Sequence, residues 1–444
     1  MAAFIDPIEV FNDPRVKAYF LGILDSNQYS SEEKYYKFLS FFEEEARIKS
    51  FILLSDANNK LMRNDENQVL SQISQELGFW KPQEILLQLR ECINRAIRRL
   101  RDSQHNDGGW GRDFRISNCW GTTHAILCLN SVMKHSSEYE LPSDINKMLE
   151  RGIQWLDKNR WSWAVEDIPR DQKIFVYEIS MVVSCFYQLG KNYFGEEFSS
   201  AISECLERLV HCQNGDGGWE ARNENIYEQQ LCSQQHSEIG ATSFALRALA
   251  LATKMEAKPY GDVIEKAMKW LIDAQNMDGS WNYENFSDTD SKPIKSVSKT
   301  CDALQSFIAA EDFGVVQSQP EKIDRVVRKA ITWLESQEKP ILDRGRIEGW
   351  GWEKESFQSF NLENTCTTLE VLVRMPQPSL PLLASTGNWL MKQQYKEGEE
   401  RVKDNKDVGK WEGELTARVA YSLIEYSDKL KEFLKAQESR QAQS

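Results

Sequence analysis

With 444 residues, the chain is long enough for two or three domains or for one large repeat core. Its 41% hydrophobic content supplies an interior too large for a disordered protein. A net charge of −14 disfavours a nucleic-acid partner, whose phosphates it would repel, and no Lys/Arg-rich run points to an anionic membrane surface. The start of the chain has no basic stretch followed by an apolar one, no run approaches the ~18 apolar residues of a membrane span, and the nine cysteines stand singly. These features predict a soluble, reduced, cytoplasmic protein.

In chain order, residues 1–86 come first. Val16, Tyr19, Phe20, Ile23 and Leu24, then Tyr36, Phe38, Leu39, Phe41 and Phe42, recur at helical spacing and predict an N-terminal helical extension. It reads either as a cap on the body or as a module that docks a protein partner. From residue 87 to 430 one phrase recurs: a helix ending in Gln, a Gly/Asp turn, then Trp. It runs Gln104 to Trp110, Gln213 to Trp219 and Gln275 to Trp281, with looser copies from Gln337 to Trp350 and from Gln393 to Trp411. A degenerate copy has Asn159 followed by Trp161 and Trp163. Counted from Gln to Gln, with Asn159 in its place, the spacings are 55, 54, 62, 62 and 56 residues, which makes six units of one size. Residues 431–444 are a polar tail.

Each unit reads as a helical hairpin. Its first helix is amphipathic, as in Ala267, Trp270, Leu271 and Ala274, and a glycine turn stops it. Its second helix is less charged and starts at a threonine: Thr122, Thr242, Thr300, Thr365 and Thr416, with Ile179 at that place in unit two. Helices that are apolar on most sides are buried, so the second helices should form an inner ring and the first an outer one. The Gln amide is expected to satisfy helix-end backbone groups and the indole to stack on that amide, which makes both residues structural.

These phrases resemble the QW repeats of squalene-hopene cyclases and other class II terpene cyclases, whose relatives include the protein prenyltransferase β subunits. The clearest copy is Lys266-Ala267, Trp270-Leu271, Gln275 and Gly279-Ser-Trp281. The resemblance implies an all-α fold, a single (α/α)6 barrel or toroid of six hairpins. It also implies an isoprenoid or other apolar small molecule as partner and cyclisation initiated by protonation. The family's acid stands in a DxDDT motif ending at the register threonine, and aromatic walls then stabilise the travelling carbocation.

No unit here has DxDD. Unit six comes nearest, with Glu412 and Glu414 at the first and middle acid positions and Leu415 at the third; Glu363 and Glu178 are the other mouth carboxyls. The resemblance thus makes Glu414, Glu412 and Glu363 the candidate acids, with Trp120, Tyr177, Phe244 and Tyr421 as the aromatic wall. The bland reading of the glutamates is that they cap helix N-termini. Asp288 and Asp290, followed by Lys292, Lys295 and Lys299, are spaced for a Mg²⁺ and a diphosphate, although the same run is an ordinary turn sequence. No cofactor is otherwise implied. Zinc is disfavoured: His105, His124, His135, His211 and His236 make no ligand set, and Cys366 with Glu363 is a poor substitute for the prenyltransferase Asp-x-Cys. The missing DxDD keeps an alternative open, a non-catalytic toroid that binds a lipid or acts as a scaffold for a protein partner.

Overall fold

The computed structural model describes residues 82–111, 116–163, 175–220, 237–256, 260–283, 294–312, 314, 320–337, 339–343, 346–351, 353–354, 357–360, 362–375, 383, 386–387, 389–391 and 413–441. The N-terminal extension, apart from its last few residues, lies outside them.

The chain alternates outer and inner helices. The outer ones are α1 (Pro82–Asp102), α3 (Ile145–Lys158), α5 (Glu196–His211), α7 (Gly261–Asp273) and α9 (Pro320–Gln337). The inner ones are α2 (Cys119–Lys134), α4 (Val176–Leu189), α6 (Ile239–Glu256), α8 (Val297–Asp312), α10 (Leu362–Val373) and α11 (Gly413–Gln441). The inner helices pack in sequence, α2 on α4, α4 on α6, α6 on α8, α8 on α10 and α10 on α11, and α11 returns to α2. This closes the ring, and the fold is an (α/α)6 toroid. α2, α4, α6 and α8 also pack on the outer helices that follow them, α3, α5, α7 and α9, and α11 packs on α1. α11 runs on to Gln441, so the polar stretch after residue 430 continues a helix.

The inner ring is apolar because its helices are covered on nearly every side. In α6, residues from Ile239 to Ala252 are buried with the exception of Arg247. The outer helices bury one stripe, as in Ile264, Ala267, Met268 and Leu271 of α7.

The repeated phrase holds the hairpins together, with a division of labour among its residues. The Gln104 amide donates to the Gly108 carbonyl (2.8 Å) and to Met148 O of the next outer helix (2.9 Å). Gln213 does the same to Gly217 O and Val263 O (both 2.8 Å), and Gln275 to Gly279 O (3.0 Å) and Val326 O (2.9 Å). The glutamine therefore joins successive outer helices. The indole does something else: Trp110, Trp219 and Trp281 donate Nε1–H to Leu100 O, Leu209 O and Leu271 O, at 2.8, 2.7 and 2.8 Å, each on the helix just completed. These hydrogen bonds anchor the indole.

The register threonine receives the tryptophan's backbone N–H, at Thr122 (3.0 Å), Thr242 (2.9 Å) and Thr300 (3.0 Å). The turn glycines Gly217 and Gly279 both have φ of +99°, and a Cβ there would lie 2.7 Å from Lys266 O and 2.3 Å from Lys329 O. Glycine is thus required twice over, by the backbone angle and by the neighbouring helix.

The irregular copies differ as their sequences do. Asn159, one methylene shorter than Gln, donates only to Trp155 O of its own helix (2.8 Å), while Trp163 still donates to Leu156 O (2.9 Å). Gln337 donates to Ser336 Oγ (3.0 Å), and an antiparallel hairpin of β3 (Lys339–Asp343) and β4 (Arg346–Gly351) follows it. A smaller pairing, β1 (Trp281–Asn282) with β2 (Lys295–Ser296), leads into α8, and β5 (Glu353–Lys354) pairs with β6 (Phe357–Phe360) before α10. At the seam, Glu414 N–H donates to Gly111 O (3.3 Å), and Gly413 leaves room for the Trp110 ring. At the other end of α11, Asp428 meets His135 Nε2 (3.1 Å), and Lys431 bridges Asp428 (3.1 Å) and Glu138.

Candidate functional site

Six inner helices in a closed ring direct one stripe of side chains each toward a common axis. On α8 that stripe contains Lys299 and Asp302, and on α11 it contains Arg418. These groups sit inside the ring, yet keep accessible surface on their side chains: 18% for Lys299, 14% for Asp302 and 18% for Arg418. They are thus partly accessible and are not packed as core.

Two halves of that lining differ in chemistry. From α2, α4 and α6 come Trp120, Tyr177 and Phe244. Their ring centroids lie 6.1 Å (Trp120–Tyr177), 5.5 Å (Trp120–Phe244) and 5.2 Å (Tyr177–Phe244) apart, the latter two edge-to-face. His124, one turn below Trp120, stacks on it at 5.8 Å and directs Nδ1 at the Trp120 carbonyl (2.8 Å). Burial lowers the His124 pKa to about 3, and the charges of Arg418 and Arg247 add to that, so the imidazole is neutral. Trp120 Nε1–H points to Glu178 (3.4 Å).

From α8, α10 and α11 comes an ionic half. Arg418 lies 4.0 Å from Glu363 and donates to Thr367 Oγ1 (2.9 Å). Gln305 donates to Glu370 (3.2 Å), whose other oxygen accepts from Ser422 (2.8 Å). Arg374, at the end of α10, pairs with Glu425 (3.3 Å) and reaches Tyr421 OH (3.5 Å).

Two cations join the halves. The Arg247 guanidinium stands 4.2 Å above the Phe244 ring and hydrogen-bonds Gln305. Lys299 lies 3.4 Å from Tyr177 OH, 5.6 Å from its ring centroid and 3.7 Å from Asp302. Gly240 makes this meeting possible: a Cβ there would fall 2.2 Å from Tyr177 OH and 2.5 Å from Lys299 Nζ. Burial raises the proton affinity of Asp302; Lys299, Arg247 and Arg418 oppose it, and the carboxyl remains above the usual carboxylate range. Burial likewise lifts the Tyr177 phenol, to about 12.

The sequence-derived candidates are placed as follows. Trp120, Tyr177 and Phe244 converge in the aromatic half, while Tyr421 stands in the ionic half beside Arg374. Glu363 lies against Arg418. Glu414 is buried, with 8% exposure, at the seam of units six and one, in the field of Arg418. Glu412, Asp288 and Asp290 lie outside the described residues. Of the lysines expected near a diphosphate, Lys295 is paired with Asp278 at 2.5 Å and Lys299 with Asp302. Among the described residues no cluster of three or more His, Cys, Asp or Glu is arranged to hold a metal ion. No described helix is long and apolar enough to cross a membrane.

Arg247, Asp302, Glu370 and Arg418 were not singled out from the sequence. The available signal was a charge inside a helix that is apolar on its other faces, since such a charge is costly unless it is paired or borders an internal space.

A family model of the squalene-hopene cyclase C-terminal domain matches residues 130–294. No curated protein matches the chain. Among solved structures, a variant of the type II terpene cyclase MstE from Scytonema, in complex with its product merosterolic acid A, is similar at 15% identity. That match covers 78% of this chain and 99% of that one, with a TM-score of 0.50. An unsaturated glucuronyl hydrolase specific for heparin is similar at 11% identity, covering 78% and 98%, with a TM-score of 0.54. An α-1,6-mannanase of Salegentibacter sp. HEL1_6, an inactive variant with α-1,6-mannotetrose, is similar at 8% identity, covering 79% and 99%, with a TM-score of 0.50. These likenesses show the toroid fold.

Proposed function

We propose that this terpene-cyclase-like toroid is a divergent class II cyclase, which protonates an isoprenoid alkene inside the ring and directs the resulting carbocation along its aromatic half. The observation that carries the reading is the Trp120–Tyr177–Phe244 cluster, tied through Lys299 and Arg247 to the buried carboxyl of Asp302. Position 298 is in register with the cyclases' middle acid, and it is a serine here. Asp302 stands four residues on, one helical turn deeper on the same face of α8. The acid is displaced along the stripe and not lost from it.

In this reaction the Asp302 O–H bond breaks as a C–H bond forms at the alkene, which leaves a tertiary cation and a carboxylate. Successive double bonds then attack the cation, and loss of a proton from the last cation ends the sequence. Burial favours the protonated carboxyl that the first step uses. The faces of Trp120, Tyr177 and Phe244 stabilise the positive charge as it moves. Glu414, in register with the family's acid and buried at the seam of units six and one, is the competing donor.

The test is incubation of the full-length protein with geranyl, farnesyl and geranylgeranyl diphosphates, their alcohols and squalene, with and without Mg²⁺. Products are read by mass spectrometry for wild type, Asp302→Asn and Glu414→Gln. Loss of a cyclised product by about 10²-fold or more in Asp302→Asn supports the assignment. The same loss in Glu414→Gln alone moves the acid to unit six. No product from any substrate refutes the cyclase reading and leaves the binding or scaffold role.

A further inference from the structure

We infer that the ring takes an isoprenoid with a neutral, hydrogen-bonding head, such as a hydroxyl group, and not a diphosphate or a plain hydrocarbon. This rests on the reading of the aromatic half as an isoprenoid wall; the ionic half supplies the new content.

Four cations of the inner helices or their ends, among the described residues, already have polar partners. Arg418 has Glu363 at 4.0 Å and Arg374 has Glu425 at 3.3 Å, while Lys299 lies against Tyr177 OH at 3.4 Å and in the field of Glu238. Arg247 bonds Gln305, which in turn donates to Glu370. Further carboxyls act on the same groups: Glu414 and Glu370 on Arg418, and Glu238 on Lys299 and Tyr177. A diphosphate brought here would have to displace carboxylates from their cations and would be repelled by those it freed. Like charges inside a ring of low dielectric are far more costly than in water.

A plain hydrocarbon fits no better. It would cover half the lining and make no hydrogen bond with Gln305, Thr367, Glu370 or Tyr421 in the other half, so no polar contact would fix its orientation. A hydroxyl group answers both conditions. It accepts from a guanidinium or amide and donates to a carboxylate without changing the charge balance.

The test measures binding to the full chain for three probes that share an isoprenoid character: geranylgeraniol, geranylgeranyl diphosphate and squalene. The readouts are the shift in Tm and retention through gel filtration, at 20 and 300 mM salt. Geranylgeraniol should bind at least tenfold tighter than the diphosphate, with no salt dependence. Glu370→Gln and Glu425→Gln each leave a cation less matched, and each should raise diphosphate affinity about tenfold relative to that of the alcohol.

Diphosphate binding that exceeds the alcohol's and strengthens at low salt overturns the inference, as does squalene binding equal to the alcohol's or retention of none of the three. The two readings fail separately. A cyclised diphosphate product would uphold the cyclase and overturn the neutral head, whereas alcohol that binds and is never cyclised would do the reverse.

Discussion

Replacing Gln213 with Ala tests the claim that the glutamine, and not the indole, joins neighbouring outer helices. Its amide donates to two backbone carbonyls, Gly217 O and Val263 O, both at 2.8 Å, and the second belongs to the next hairpin. Each bond contributes about 0.5–1.5 kcal/mol net, so Gln213→Ala should cost about 2 kcal/mol. An unfolding entropy of about 2.1 cal/mol/K per residue over about 340 residues makes that a Tm decrease of ~3 °C. Gln275→Ala, with the same two kinds of acceptor, should match it. Gln337→Ala is the control, because among the described residues that amide donates only to Ser336 Oγ; it should cost under about 0.5 kcal/mol. Urea and thermal unfolding of the three variants decide the matter. Equal losses for Gln213→Ala and Gln337→Ala, or no loss for either, would refute the reasoning.

Other outcomes follow from single contacts. Gly279→Ala, at φ +99° with Lys329 O 2.3 Å from the new Cβ, should cost at least about 3 kcal/mol, whereas Gly215→Ala meets nothing within 4 Å and should stay within about 0.5 kcal/mol in the same urea titration. Gly240→Ala should push Tyr177 and Lys299 apart at a cost of about 1–3 kcal/mol, and a crystal structure that retains their 3.4 Å contact would contradict this. His124 is held near pKa 3 in the fold against 6.5 ordinarily, so its contribution is complete above pH 6.5 and is lost as pH falls toward 3, by at most about 1.4 kcal/mol per pH unit. Wild type should therefore lose more urea stability than His124→Gln between pH 7 and pH 4.5, and parallel pH curves for the two would count against a buried neutral imidazole.

What the sequence made legible was whatever repeats. Gln, the glycine turn, Trp and Thr each recur because each makes a backbone contact that every hairpin needs, and the small residue after Lys266 or Arg151 belongs to the same set. At Gly152 a Cβ would strike the Trp110 ring at 2.7 Å, so that position must be small wherever an indole from the previous unit lies on it. The role of the indole N–H was not legible, since its acceptor is a carbonyl that any residue carries. The ionic half was missed for another reason. Arg247, Asp302, Glu370 and Arg418 lie two or five residues past the register threonine, and each meets partners on other helices, which no spacing within one unit can reveal. The aromatic half was found because Trp120, Tyr177 and Phe244 stand near the N-termini of consecutive inner helices.

The closure of α11 on α1 and α2 means that the toroid has no first hairpin in any mechanical sense. Each join between units is local, so where the ribosome begins the ring is a historical accident of the gene. A gene recut so that translation starts at α3, with the old ends joined by a flexible linker, would ask every interface to form in its native geometry. Permutation of this kind offers evolution a way to exchange one hairpin at a time while the ring around it stays shut.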